Sequence, residues 1–169
     1  MKVKIYSDGS CIGNPGPGGW AALVKSGKKI YKIKGGEIQT TNNRMELTAV
    51  IWGLKTAFAK FSEAVDFEVH SDSAWIVKTM TQNWKRKKNL DLWAELAPLL
   101  IDKNVSWFWV KAHAGHPENE DCDTRALKEA KKQQKLSEKS GPLKPPEDPT
   151  FFVKKGEKKI QPDDPPTLL

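Results

Sequence analysis

The sequence predicts an α/β fold: one five-stranded mixed sheet, three antiparallel strands followed by parallel ones, flanked by helices. Two observations predict it. Strand-like apolar patterns separated by turn residues fill the first 35 residues, the mark of strands joined by short connections. From residue 43 onward, helical spacing alternates with short apolar runs, the pattern of strand–helix–strand crossovers.

Taken in order, residues 2–7 (KVKIYS) alternate and end at Asp8-Gly9, a strand running into a turn. Gly13-Asn14-Pro15-Gly16-Pro17-Gly18-Gly19 is rich in breakers and reads as a loop. Residues 20–25 and 29–34 flank Ser26-Gly27-Lys28, a hairpin signal. Met45, Leu47, Val50, Ile51, Leu54, Ala57, Phe58 and Phe61 recur at helical spacing over residues 43–61. Thr41 or Asn42 would cap that helix, which puts Glu46 in its first turn or just beyond. Residues 65–71 form a fourth strand ending at Asp72, and 73–82 and 90–101 form helices, the second interrupted near Pro98. Residues 105–111 (VSWFWVK) form a fifth strand, followed by the loop AHAGHPENEDCD and a last helix over about 119–135.

Composition shifts after about residue 136. Seven of the eleven prolines fall in residues 141–169, so the chain reads as a folded domain over 1–136 and an extended or disordered tail over 137–169. Phe151-Phe152-Val153 is the tail's one apolar cluster, suited to docking on the domain or engaging a protein partner.

Hydrophobic residues are 38% of the 169 and charged residues 29%, enough for one real core. No apolar run approaches the roughly 20 residues of a membrane span, and MKVKIYSDGS lacks the features of a signal peptide. A cytoplasmic monomer is expected. Cys11 and Cys122 then stay reduced, and without a CxxC pair they suggest no zinc site. The net charge of +7 suits a polyanionic partner. Residues 1–126 hold 18 basic and 14 acidic side chains, so withdrawing a few acids into a cation site would leave a strongly basic surface.

Four acids share such a site's positional logic. Asp8 and Asp72 end strands, while Glu46 and Asp123 lie near helix starts, where open α/β sheets place their sites. One by one, each is more readily a turn, cap or dipole residue. Converging at one edge, they would repel strongly unless cations sat among them. Oxygen-only ligands suit Mg²⁺, with Mn²⁺ as a substitute. Two such ions about 3.5–4 Å apart can clamp a phosphate and activate water.

Four separated blocks then resemble type 1 ribonucleases H. They are YSDGSCIGNPGPGGWA (6–21), TTNNRMEL (40–47), HSDS (70–73) and VKAHAGHPENEDCD (110–123). The resemblance runs in order over residues 1 to about 135. It implies a ribonuclease H-like sheet and an endonuclease that cuts the RNA strand of RNA–DNA hybrids by a two-metal-ion mechanism. That reaction leaves 5′-phosphate and 3′-hydroxyl ends and would serve to remove RNA primers and R-loops. Asp8, Glu46, Asp72 and Asp123 would ligate two Mg²⁺ ions, and His113 would assist proton transfer or product release. His116 would shape its loop and His70 would be structural. Gly9, Ser10, Cys11, Asn42, Asn43 and Glu46 match positions that meet ribose 2′-hydroxyls, with Asn14 and Thr41 as further polar contacts and Glu120 near the metals or ribose. Trp84 with Lys85-Arg86-Lys87-Lys88 would serve the DNA strand, with help from Asn83.

The chain also departs from the family. Many members carry a longer basic handle where only seven positions separate Trp84 from Asp91. Gln39 replaces a frequent arginine, Ala74 a frequent glutamine and Ala112 a common glycine. These departures bear on affinity for the hybrid more than on the chemistry. Two competing readings are a non-catalytic hybrid-binding module and another nuclease or transposase of the same superfamily. The intact acids argue against the first, and the TTNNRMEL and histidine-loop blocks against the second.

Overall fold

A computed structural model describes residues 1–141 of the chain. Nine elements follow one another: β1 (Lys2–Cys11), β2 (Gly16–Ser26), β3 (Lys29–Thr40), α1 (Asn42–Lys60), β4 (Asp66–Ser71), α2 (Ala74–Thr81), α3 (Leu90–Leu99), β5 (Asn104–Trp109) and α4 (Pro117–Ser140). The sheet runs β3-β2-β1-β4-β5. β1, β2 and β3 pair antiparallel, and β4 and β5 join parallel to β1, as the sequence pattern predicts.

Alternation along β1 assigns its two faces. Val3 and Ile5 enter a large core with Leu47, Val50, Ile51, Leu54, Val69, Ile76, Trp93 and Leu96, which α1, α2 and α3 contribute to. Tyr6 instead joins Ala21, Leu23, Cys122 and Ala126 beneath α4. Asp8 is two residues on from Tyr6 and shares its side of the strand.

The strands outrun the sequence expectation. β1 continues three residues past Asp8, β2 starts at Gly16 inside the breaker-rich segment, and β3 runs to Thr40 instead of stopping near residue 34. Helix packing accounts for the glycines at positions 9 and 19. A Cβ on Gly9 would stand 2.3 Å from the Glu46 amide nitrogen of α1, and one on Gly19 would stand 2.3 Å from the Ala126 carbonyl oxygen of α4. These glycines let two helix backbones lie against the sheet, so they are strand residues selected for thinness. Gly27, with φ +57°, makes the tight turn from β2 to β3.

Helix boundaries differ as well. Thr41 is the cap of α1, its hydroxyl accepting from the Arg44 amide at 3.3 Å. α3 stops at Leu99, one residue after Pro98, without continuing kinked to residue 101. β5 ends at Trp109 and not at residue 111. α4 begins at Pro117, before the expected start, and runs on to Ser140. The expected 137–169 tail, with Phe151-Phe152-Val153, lies outside the described residues from position 142 onward. Among the described residues, no helix is long and apolar enough to cross a membrane.

A partly buried ion pair ties α1 to α3. The Arg44 guanidinium donates to both Asp91 carboxylate oxygens at 2.9 and 2.7 Å, and to the Asn89 side-chain oxygen at 3.4 Å. Asn89 is left-handed, with φ +56°, and closes the short α2–α3 connection. Gly9→Ala should destabilise the protein by about 3 kcal/mol, because the methyl would meet helix backbone and not a movable side chain. Chemical denaturation of the two proteins checks it.

Candidate active site

The site begins where β1 and β4 lie side by side. Ser7 pairs with Ser71, so the residues that follow, Asp8 and Asp72, emerge together at the same end of two parallel strands. Glu46, in the second turn of α1, arrives through the Gly9 contact. Carboxylate oxygens of Asp8, Glu46 and Asp72 lie within 4.8 Å of one another. The expected convergence therefore holds for three of the four acids.

Asp123 stands apart. It is the seventh residue of α4, not at its start, and its side chain is 40% exposed. α4 begins earlier than the sequence pattern indicates, which carries Asp123 into the second turn. It still acts electrostatically, since its charge raises the pKa of both Asp72 and Asp8. His113 extends the rim, its Nδ1 3.8 Å from the Asp123 carboxylate. It has φ +52° and a largely exposed ring.

Polar groups orient Asp8 and Glu46. The Gly9 amide donates to Asp8 at 2.8 Å, and the Asn42 side-chain amide donates to Glu46 at 3.1 Å. Ser73 hydrogen-bonds to Glu46 and also caps α2, accepting from the Ile76 amide. Even so, burial dominates. It pushes Asp8 far above the usual carboxylate range, with Asp72 and Glu46 adding repulsion. Burial raises Glu46 to about 7 against the pull of its Ser73 and Asn42 hydrogen bonds. Asp72 is raised by burial and then by Asp123. One Asp72 carboxylate oxygen is buried without a hydrogen-bond partner among the described residues. An all-oxygen cluster short of positive charge, with an unmatched buried oxygen, fits a hard divalent cation.

The expected nucleic-acid contacts fall into two groups. Asn14, Thr41, Asn42 and Asn43 collect at the start of α1, where the Asn14 side-chain oxygen accepts from the Asn42 amide at 2.9 Å. Gly9, Ser10 and Cys11 form the last stretch of β1 beside them. Asn83, Trp84 and Lys85 lie beyond α2, with the Trp84 indole donating to Gln82 at 3.1 Å and the Lys78 ammonium 5.5 Å from its ring centre. Arg86 turns back, its guanidinium 4.7 Å from the Trp93 ring, so Lys85 and Lys87 are the fully outward members of the run. Glu120 accepts from the Gly115 amide at 3.3 Å, which ties down the histidine loop. His116 is the residue before α4, and His70 is stacked between Tyr6 and Phe108. Cys11 and Cys122 are free thiols.

Sequence reasoning missed three supporting residues: Ser73, Arg44 and Trp109. Their roles depend on partners distant in the chain. Trp109, at the end of β5, donates its indole N–H to the Asp72 carbonyl oxygen at 3.1 Å.

The raised carboxyls make a pH prediction. Their folded pKa values exceed the unfolded ones, so the folded state holds more protons and this part of the stability falls as pH rises from about 4 through the folded values. Asp8→Asn should therefore raise the melting temperature of the metal-free protein at pH 8 by about 5 °C. The gain should shrink toward pH 4, and thermal melts of both proteins across that range check it.

Comparison with known proteins places these features in a known setting. The ribonuclease H family model matches residues 1–131. The chain is 46% identical over 139 residues to the ribonuclease H of Polynucleobacter asymbioticus, covering 75% of this chain and 88% of that protein. It is 42% identical over 153 residues to the ribonuclease H of Aeromonas hydrophila, covering 83% and 96%. Among solved structures, the N-terminal ribonuclease H domain of a Mycobacterium tuberculosis protein superposes with a TM-score of 0.71 at 27% identity, over 81% of this chain and 99% of that one. A ribonuclease H solved in complex with an RNA/DNA hybrid shares the fold, with a TM-score of 0.67 at 24% identity over 77% of this chain and 97% of that one.

Proposed function

The chain belongs to the ribonuclease H family, and we propose that Asp8, Glu46, Asp72 and Asp123 form the centre at which it hydrolyses the RNA strand of RNA–DNA hybrids. The observation that carries this reading is the meeting of three carboxylates within 4.8 Å, in a chain matched by the family over residues 1–131.

Asp8, Glu46 and Asp72 would hold divalent ions, with Asp123 completing the set from the rim. Mg²⁺ is the proposed ion and Mn²⁺ its substitute, since all donors are hard oxygens. Two such ions, when bound, supply positive charge at the scissile phosphate and lower the pKa of water. The remaining work belongs to the chain. Asn42 and Ser73 keep Glu46 oriented, and the Gly9 amide keeps Asp8 oriented. His113, at the exposed rim beside Asp123, takes up or delivers a proton and helps product leave. The products carry 5′-phosphate and 3′-hydroxyl ends, consistent with removal of RNA primers and R-loops.

Recognition of the hybrid follows from the two polar groups. Backbone at Gly9, Ser10 and Cys11, together with Asn14, Thr41, Asn42 and Asn43, meets the ribose 2′-hydroxyls that distinguish RNA. Asn83, Trp84 and Lys85 meet the DNA strand with a ring and cationic charge. Glu120 acts through the loop it anchors. The catalytic unit spans about residues 1–136, and the enzyme works as a cytoplasmic monomer, with the tail left to a protein partner.

A labelled hybrid incubated with Mg²⁺ tests the reading: the RNA strand is cut internally and the DNA strand is not. Binding without cutting, or cutting of duplex DNA instead, overturns it. Asp8→Asn should lower cleavage by at least about 10³-fold while hybrid affinity stays within a few-fold, because the substitution removes a cation ligand and no substrate contact. Gel-shift and cleavage assays on one preparation separate the two effects. Lys85→Ala with Lys87→Ala should flatten the dependence of log affinity on log salt by about 0.9 for each phosphate no longer neutralised. An unchanged slope in a salt titration would mean that both lysines only face solvent.

A further inference from the structure

We propose that Trp109 is a positioning residue for the carboxylate of Asp72, acting through its indole N–H on the Asp72 carbonyl oxygen. The inference rests on the reading of Asp72 as a cation ligand, and it adds a residue from the edge strand to that site.

Asp72 accepts hydrogen bonds from its own amide and from Asp8, yet one of its oxygens is left over. Asp8 accepts from the Gly9 amide, and Glu46 accepts from Asn42 and Ser73. Asp72 has a buried oxygen without a hydrogen-bond partner among the described residues, and it feels repulsion from Asp123. It also lies past the end of β4 and before the start of α2, so neither element's regular hydrogen bonding holds it. Its backbone therefore shares in setting its orientation.

That backbone is gripped from three sides. On the preceding residue, the Ser71 carbonyl accepts from the Val110 amide at 3.0 Å. On the following residue, the Ser73 amide donates to the Ser71 hydroxyl at 3.1 Å, while the Ser73 hydroxyl caps α2. At Asp72 itself, the carbonyl accepts from Trp109 at 3.1 Å. The Trp109 bond is the one that acts on the ligand's own peptide group.

Trp109 is a poor core residue. It is 54% exposed, although it belongs to a residue type that usually buries its ring and stabilises a protein by doing so. It is not part of the large hydrophobic cluster, which takes Trp107 from the same strand. A large ring left at the surface beside a buried acidic cluster, with its one polar atom bonded to the backbone of a ligand residue, is placed to orient that residue and adds little packing. Outer partners of this kind typically tune metal affinity by an order of magnitude or more.

The test is Trp109→Phe in the full-length protein, which keeps a ring and removes the donor. Mg²⁺ titration by calorimetry, without hybrid, should show affinity reduced about five-fold or more. The metal-free melting temperature should move by less than about 2 °C, because the ring was half exposed. In cleavage assays the Mg²⁺ concentration for half-maximal rate should rise in step, while KM for hybrid at saturating Mg²⁺ stays put. Unchanged Mg²⁺ affinity overturns the proposal. So does a rise in KM for hybrid with the metal midpoint unmoved, which would make the ring a substrate contact. If wild-type protein binds Mg²⁺ but cuts no hybrid, the proposed function fails while the calorimetric comparison still decides the role of Trp109.

Discussion

At Gly9 the backbone of α1 rests directly on β1, and the acidic site exists because of that contact. A Cβ at this position would come within 2.3 Å of the Glu46 amide and 2.5 Å of the Met45 carbonyl carbon. With only hydrogen there, α1 settles close enough for Glu46 to reach the carboxylates leaving β1 and β4. The same logic repeats on the other face. Gly19 admits α4 against β2, and α4 carries Asp123 and seats Cys122 beneath the sheet. Thin strands thus bring two helices to one sheet end, each with an acid.

The scaffold does this against electrostatic opposition. Burial and mutual repulsion raise the pKa values of Asp8, Glu46 and Asp72, so the metal-free fold holds these groups at a cost. The apolar core of the sheet and its helices supplies the stability that tolerates this strain. Donors from Gly9, Asn42 and Ser73 then aim the acids without neutralising them. A site preorganised in this way attracts cations because its own residues leave the charge unbalanced.

Grip on the nucleic acid is more economical than the chemistry. The connection between α2 and α3 is short, closed by left-handed Asn89 and held by the Arg44–Asp91 pair. Arg44 thus joins the helix that carries Glu46 and the polar contacts at its start to the segment bearing Trp84 and Lys85. With Arg86 folded onto Trp93, Lys85 and Lys87 remain as the outward cations of the run. The two candidate contact surfaces, one for each strand, are therefore linked mechanically by one buried guanidinium.

Local pattern was enough to determine the element order, the mixed sheet and the placing of Asp72 at the end of β4, because periodicity and turn chemistry act over a few residues. The four sequence blocks carried the family and its four acids. Only tertiary structure decided the rest. Gly18 and Gly19 read as breakers until α1 and α4 lie against them, and then they are strand. Asp123 looked equal to the other acids until the start of α4 at Pro117 set it in the second turn, half exposed at the rim. Arg44 finds Asp91 across 47 positions, and Trp109 finds the Asp72 carbonyl across 37. Such pairings leave no local trace, because a guanidinium or an indole has the same character in the sequence whatever it meets; the sheet order and the helix depth choose the partner.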